Sequence, residues 1–407
     1  MLIKANTHMN MSKTLYLIAV LVLLFFGSSV RAAFGLMDDT NLYRINGTFF
    51  VLLACFIVHC CSKGFNKLNR EAYYFAFFGI LMLIGKFVTH VGGYLSVINY
   101  VFVPCLFCLL YPKGDIRFRQ RIYKLLFYFF FIESIWAILE RVFLINVFPP
   151  VSRIEEMGKS VIGLYGYREG FRSSALLGSP LTNALCLTCI LLFILFSNLK
   201  QSTKILCFVI GYLAILCFNT RTSIILWPIL FLISFIYNNR KKGKIKSIVK
   251  GLLIFSVIAV LFAYIIIANG LADRLIGRDI MDNSANVRVD TWTMFMAIDH
   301  LAVFFSLGVN SDEIITWMEL GGVEIIENSF VLYFLELGGI GLLMLLWGYY
   351  KILSIEMKGY SKFARYFILG SFILLGLTNN GLKETAMSLF IICCLIMPKG
   401  QLAVTKA

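Results

Sequence analysis

Apolar residues run along this chain in long unbroken stretches, not in the alternation of a half-buried strand or the narrow stripe of a surface helix. A helix needs about 20 apolar residues to cross the hydrocarbon of a bilayer, and fewer where protein surrounds it. Runs that meet this need lie near residues 14–32, 46–62, 72–88, 93–111, 122–145, 174–197, 204–219, 222–238, 249–269, 328–350, 364–379 and 384–397. They predict an all-α polytopic membrane protein of about 12 transmembrane helices, one transmembrane domain over residues 1–407. Two segments between runs, 145–173 and 271–327, are long enough to build something outside the bilayer. Within the second, Val287 to Leu307 sets Trp292, Phe295, Met296 and Val303 at helical spacing, which predicts an amphipathic helix lying at the interface.

Composition removes the soluble alternative. Hydrophobic residues make up 59% of the chain and charged residues 14%, with a mean hydropathy of +0.84, too little polar surface to coat a soluble globule of this size. The net charge of +15 is scattered between apolar runs and not gathered on one solvated face, so nucleic acid is not an expected partner. All eleven cysteines lie inside apolar runs, where a thiol behaves as a small hydrophobe and no disulfide framework is expected. No metal-ligand spacing, glycine-rich nucleotide loop or Ser/His/Asp set stands out, so neither metal nor cofactor is expected. Lys4 and Lys13 precede the short apolar core Leu15 to Phe26, and the segment reads as a signal anchor that is retained.

Charge placement then sets orientation. With the N-terminus inside, alternate connections carry 24 basic residues on the cytoplasmic side and 11 on the outer side, which puts both termini in the cytoplasm of a multi-pass inner-membrane protein. A second asymmetry sits within the first: nine of the 11 outer residues are Arg, against six of the 24 inner ones. Lys satisfies the orientation rule equally well, but the planar Arg fork grips phosphate oxygens in pairs and keeps its charge when partly dehydrated. Either a phosphate-bearing ligand binds outside, or these residues pair with outer acids such as Asp273, Asp279, Asp282 and Asp290 or with lipid head groups.

Particular positions sharpen this. Arg168 and Arg172 are four apart and would share a helix face, while Gly178, Pro180 and Asn183 interrupt the next run as expected where backbone lines a cavity. Arg221 stands in the stretch NTRTS, residues 219–223, between two spans with almost no loop between them. Glu327 and Asn328 precede the tenth run, and a carboxylate there could act as a general base toward a sugar hydroxyl. Glu336 lies on the same helix, deeper in the bilayer, and should face protein or a polar cavity. Glu133 is the other deep acid, with Glu140 and Arg141 nearer the outer end as an expected pair.

These residues, in this order, resemble the O-antigen polymerase and O-antigen ligase superfamily of bacterial inner-membrane enzymes. The resemblance rests on GFRSSALLGSPLTNA (170–184), NTRTS (219–223), NVRVDTWTMFM (286–296) and the stretch from Asn328 to Gly341, and it covers roughly residues 165–350. It implies a GT-C-like membrane glycosyltransferase acting at the periplasmic face on undecaprenyl-diphosphate-linked oligosaccharide in place of nucleotide sugar. Arg172, Arg221 and Arg288 would stabilise the departing diphosphate, Arg168, Arg274, Arg278, Asn328 and Glu336 would hold substrate, and Glu327 would take the base role. Ligases of the superfamily carry His immediately before that Asn; Glu327 in its place favours a polymerase over a ligase. A lipid-linked oligosaccharide flippase or transporter is the third reading. Membrane lipid, a chain-length regulator and a flippase are the partners the resemblance implies.

Overall fold

The computed structural model describes residues 2–34, 45–65, 68–148, 164–165, 171–240, 249, 256, 260, 263–264, 283–323, 326, 328–377, 382 and 385–404. In chain order the helices used below are α1 (Leu2–Phe25), α2 (Ser28–Ala33), α3 (Gly47–Lys63), α4 (Tyr73–Thr89), α5 (Tyr94–Leu110, with a π-helical turn at Ile98–Phe102), α6 (Ile116–Phe143), α7 (Pro180–Leu195), α8 (Gln201–Phe218), α9 (Arg221–Arg240), α10 (Asn283–Ala297), α11 (His300–Phe305), α12 (Ser311–Leu320), α13 (Ser329–Glu356), α14 (Lys362–Leu377) and α15 (Thr385–Val404). The strands Ile145–Asn146 and Leu164–Tyr165 pair antiparallel at the end of α6.

A helix that is apolar all round belongs in the middle of a bundle. α7 obeys this: thirteen of its sixteen residues are buried. α15 packs along it, with Ala386 to Met397 closed off except at the edges, and α5, α6, α8, α9, α13 and α14 surround the pair. On one flank α3 packs on α1; on the other, α4 packs on α13. Buried hydrogen bonds fix the helices in register, as where Trp227 Nε1 of α9 donates to Thr188 Oγ1 of α7 at 2.6 Å and Tyr111 OH donates to Leu395 O at 2.9 Å.

The outer surface of the bundle is the surface of a membrane protein. On α6 the buried positions Phe118, Ile122, Leu126, Phe129, Glu133, Ala137 and Glu140 recur every three or four residues. The opposite face, with Tyr128, Ile132, Ile135, Leu139 and Val142, is exposed and almost as apolar. A helix in water would place charge there. Five described helices have the length and composition to cross a membrane: Arg70–Thr89, Ile116–Phe143, Gln201–Phe218, Arg221–Arg240 and Ser329–Gly359. Five shorter apolar helices, Met11–Phe25, Gly47–Lys63, Tyr94–Leu110, Pro180–Leu195 and Thr385–Met397, coincide with further expected runs. The expected run at 249–269 lies almost wholly outside the described residues.

Two expectations change. The run at 14–32 is not one helix: α1 stops at Phe25, and Gly27 follows, where a Cβ would sit 3.0 Å from the Leu177 Cα. The expected amphipathic helix at 287–307 is two, because the Asp299 carboxylate accepts from the Leu301 and Ala302 amides, both at 3.1 Å, and starts α11 there. Its apolar residues divide between two surroundings. Met294, Ile298 and Val303 join Val309, Val331 and Leu335 in a small second core beside α13, whereas Trp292 and Met296 are exposed.

Candidate functional site

Chemistry-bearing residues gather at the end of the bundle that the charge count assigns to the outside, around the segment Phe171 to Ser179. Within this segment Gly178 N makes a helix-type bond to Ser174 O at 2.9 Å, and the amides before it need another acceptor. The Glu140 carboxylate, at the C-terminal end of α6 and 3% exposed, is that acceptor. Its Oε2 accepts from Ser173 Oγ (2.6 Å), Ser174 N (3.0 Å) and Ala175 N (2.9 Å); its Oε1 accepts from Val147 N (3.0 Å) and Trp136 Nε1 (3.2 Å). Asn146 adds a second tie, accepting from Ser174 N at 3.2 Å and donating to Arg172 O at 3.1 Å. Glu140 is therefore not the partner of Arg141, whose Nη1 donates instead to Phe171 O at 3.0 Å. Two turns deeper on the same face, the Glu133 carboxylate is fully buried and lies against the Leu176 and Leu177 amides, outside hydrogen-bonding geometry.

The turn that follows is possible only with glycine at one position. Gly178 has φ +74°, and a Cβ there would fall 1.7 Å from Ser29 Oγ. Asn183, one turn into α7, closes the segment by donating to Ser174 O at 2.5 Å.

Held this way, the segment delivers Arg172 to the corner where α8 ends and α9 begins. Ser173 N donates to Cys217 O at 3.0 Å, and Arg172 Nε donates to Phe218 O at 3.1 Å. A cation is well placed there, since the last carbonyls of a helix carry partial negative charge. Three residues after Phe218, Arg221 opens α9. The two-residue link between the helices turns through Asn219 (φ +51°). Asn219 Oδ1 and Thr220 Oγ1 are buried without a hydrogen-bond partner among the described residues. Arg172 and Arg221, far apart in sequence, thus share one corner with the first-turn amides of α9, and a helix start of this kind favours an anion.

The other expected residues fall elsewhere or outside the description. Arg168, Arg274, Arg278 and Glu327 lie outside the described residues, as does the side chain of Arg288, whose backbone belongs to α10. Asn328 caps α13: its Oδ1 accepts from Phe330 N at 3.0 Å and Val331 N at 3.2 Å. Glu336 sits two residues before a break in α13 at Gly338 (φ +74°). There the sequence reading missed a partner. Lys86 of α4, fully buried, donates to Glu336 O and to Gly92 O, both at 2.9 Å, and Val309 N donates to Leu335 O at 2.7 Å. The structure thus assembles two stations: Arg172 with Arg221 at the α8–α9 corner, and Glu336 with Lys86 at the α13 break. Among the described residues no cluster of His, Cys, Asp or Glu has metal-site geometry.

Comparison with protein-family models, with curated proteins and with solved structures finds no match in any of the three.

Proposed function

We propose that the protein is a membrane glycosyltransferase that polymerises surface polysaccharide, joining undecaprenyl-diphosphate-linked oligosaccharide repeat units at the periplasmic face of a bacterial inner membrane. The observation that carries this reading is the hydrogen bond that sets Arg172 on Phe218 O at the α8–α9 corner, three residues before Arg221 opens α9. The reaction calls for such a corner. A hydroxyl of one lipid-linked unit attacks the anomeric carbon of the growing chain, the bond to the diphosphate breaks, and undecaprenyl diphosphate leaves with added negative charge. Guanidinium groups and helix-start amides at that position stabilise the charge as it develops. Arg288 would approach from α10, Glu327 or Glu336 would take the proton from the attacking hydroxyl, and Arg168, Arg274, Arg278 and Asn328 would hold sugar or phosphate. Twelve spans with both termini cytoplasmic complete the proposal.

A transport reading has one observation of its own, the broken α13 with Lys86 and Glu336 at the break, because transporters place broken helices and charge within the bilayer. The two readings separate in a strain lacking only this gene. A polymerase defect leaves lipopolysaccharide core capped by one repeat unit with the ladder gone. Complete loss of the polysaccharide, with single lipid-linked units retained on the cytoplasmic side, indicates transport, and lipid-linked polymer accumulating outside indicates a ligase. Returning Arg172→Ala or Arg221→Ala should lower chain extension by about 100-fold or more at normal protein level, with Arg→Lys rescuing poorly. Full extension by both alanine variants sinks the diphosphate role.

A further inference from the structure

At the opposite end of the bundle, the end that the charge count assigns to the cytoplasm, a cavity of about 420 Å³ opens between α1 and the start of α6. Its lining is basic. Lys13 comes from α1, and Arg117 and Arg121 come from α6, four residues apart and so on one face of the helix. Against these three cations stands one carboxylate, Asp115, which leaves an excess of two positive charges.

The carboxylate is already engaged. Asp115 Oδ2 accepts from Lys13 Nζ at 2.5 Å, and its Oδ1 accepts from Phe118 N at 2.9 Å as the cap of α6. The guanidinium groups of Arg117 and Arg121 have no hydrogen bond or ion pair among the described residues. Arg119, between them, is different: it lies over the Tyr111 ring, 5.7 Å from its centroid. The cavity therefore offers two unpaired planar forks, donors suited to phosphate oxygens.

The source of the phosphate is set by what surrounds the cavity. Leu17 lines its inner wall where α1 enters the apolar bundle. Met11, two residues before Lys13, and Ile116, next to Asp115, are 50% and 57% exposed, as apolar side chains are where acyl chains replace water. Basic pockets between membrane helices at this level hold the head groups of anionic lipids.

We propose that this cavity is a binding site for the phosphate of an anionic phospholipid head group, gripped by Arg117 and Arg121 with Lys13 as a third charge. It is separate from the α8–α9 corner and does not rest on the glycosyl-transfer reading.

The test is native mass spectrometry of the purified full-length protein, delipidated in detergent and titrated with phosphatidylglycerol or phosphatidylcholine. Phosphatidylglycerol should be retained at about 30-fold lower concentration, and R117Q/R121Q should reduce that preference to near unity while R117K/R121K keeps most of it. Equal retention of the two lipids by the wild-type protein overturns the proposal whatever the variants do, and so does an undiminished preference in a folded R117Q/R121Q. In a separate arm, glycerol phosphate is titrated without lipid. Binding of glycerol phosphate with no preference between the lipids assigns the cavity to a soluble phosphate and overturns the lipid reading.

Discussion

Two places in this bundle break helical hydrogen bonding among apolar helices, and they are repaired with opposite charges. Around Phe171 to Ser179 the groups left over are amides, and the Glu140 carboxylate collects them; at Gly338 they are carbonyls, of which the Lys86 ammonium takes Glu336 O, together with Gly92 O after α4, and Val309 N takes Leu335 O. The difference is chemical necessity: an ionised carboxylate only accepts and an ammonium only donates. A buried charge of either sign is tolerated when every neighbouring dipole points correctly, and is expensive when one is removed. Charged side chains within a membrane span thus serve here as caps for irregular backbone, and the irregular backbone is what presents Arg172 at one station and Glu336 at the other.

The comparison breaks first at its anionic side. In Glu140→Gln the shape is kept, but an NH₂ group replaces one accepting oxygen, so two or three of the five donors face another donor. The loss should be about 3–5 kcal/mol, read as a large drop in Tm in detergent, with new tryptic cleavage after Arg172. An unchanged Tm with Arg172 still protected would show that the segment holds itself.

Lys86→Met should cost less, about 1–3 kcal/mol. Two carbonyls lose their donor, fewer groups than at Glu140 and with none turned against a like group, while the burial penalty of the ammonium disappears. The same thermal scan checks it. A loss as large as that of Glu140→Gln would mean that Lys86 also neutralises charge nearby, which its position beside Glu336 allows.

How far the fold could be read in the sequence follows from the kind of interaction involved. Spans are local, so the ten that meet a described apolar helix were legible, and Arg172 and Arg221 were conspicuous because they lie on the side with few basic residues, where Arg outnumbers Lys. Glu140 was not: Arg141 beside it suggested a local pair, whereas three of its five donors lie more than thirty residues away at Ser173 to Ala175. The split of 287–307 was marked by Asp299, a good capping residue, but apolar spacing outweighed it. Which face of α10 packs on protein is not set by its apolar period. Beside a membrane both faces of a helix carry apolar residues, so Trp292 and Met296 match the period as well as Met294 and Ile298 do, and hydrophobicity alone does not say which face meets protein.

α6 supplies the gentlest version of the same comparison, because a carboxylate accepts amides at each of its ends. Glu140 does so in a buried setting, Asp115 at the water-facing end, where its side chain is 28% exposed. The hydrogen bond from Lys13, with help from the Phe118 amide, holds the Asp115 carboxyl below its usual range. A carboxyl whose pKa is lowered by folding adds stability that is fully present above the unfolded value of about 4 and is lost as the pH falls through the lower folded value. D115N keeps a capping oxygen for Phe118 N but ends the charge attraction to Lys13, so it isolates that pair. With solvent competing, wild type should exceed D115N by only a few tenths of a kcal/mol at pH 6, a gap that closes as the pH drops below about 4. Thermal scans of both proteins across that range measure it. A gap that persists at pH 3 would place the benefit in the shape of the cap instead of its charge, and would leave the buried end of α6 as the only one where ionisation of a carboxylate matters to the fold.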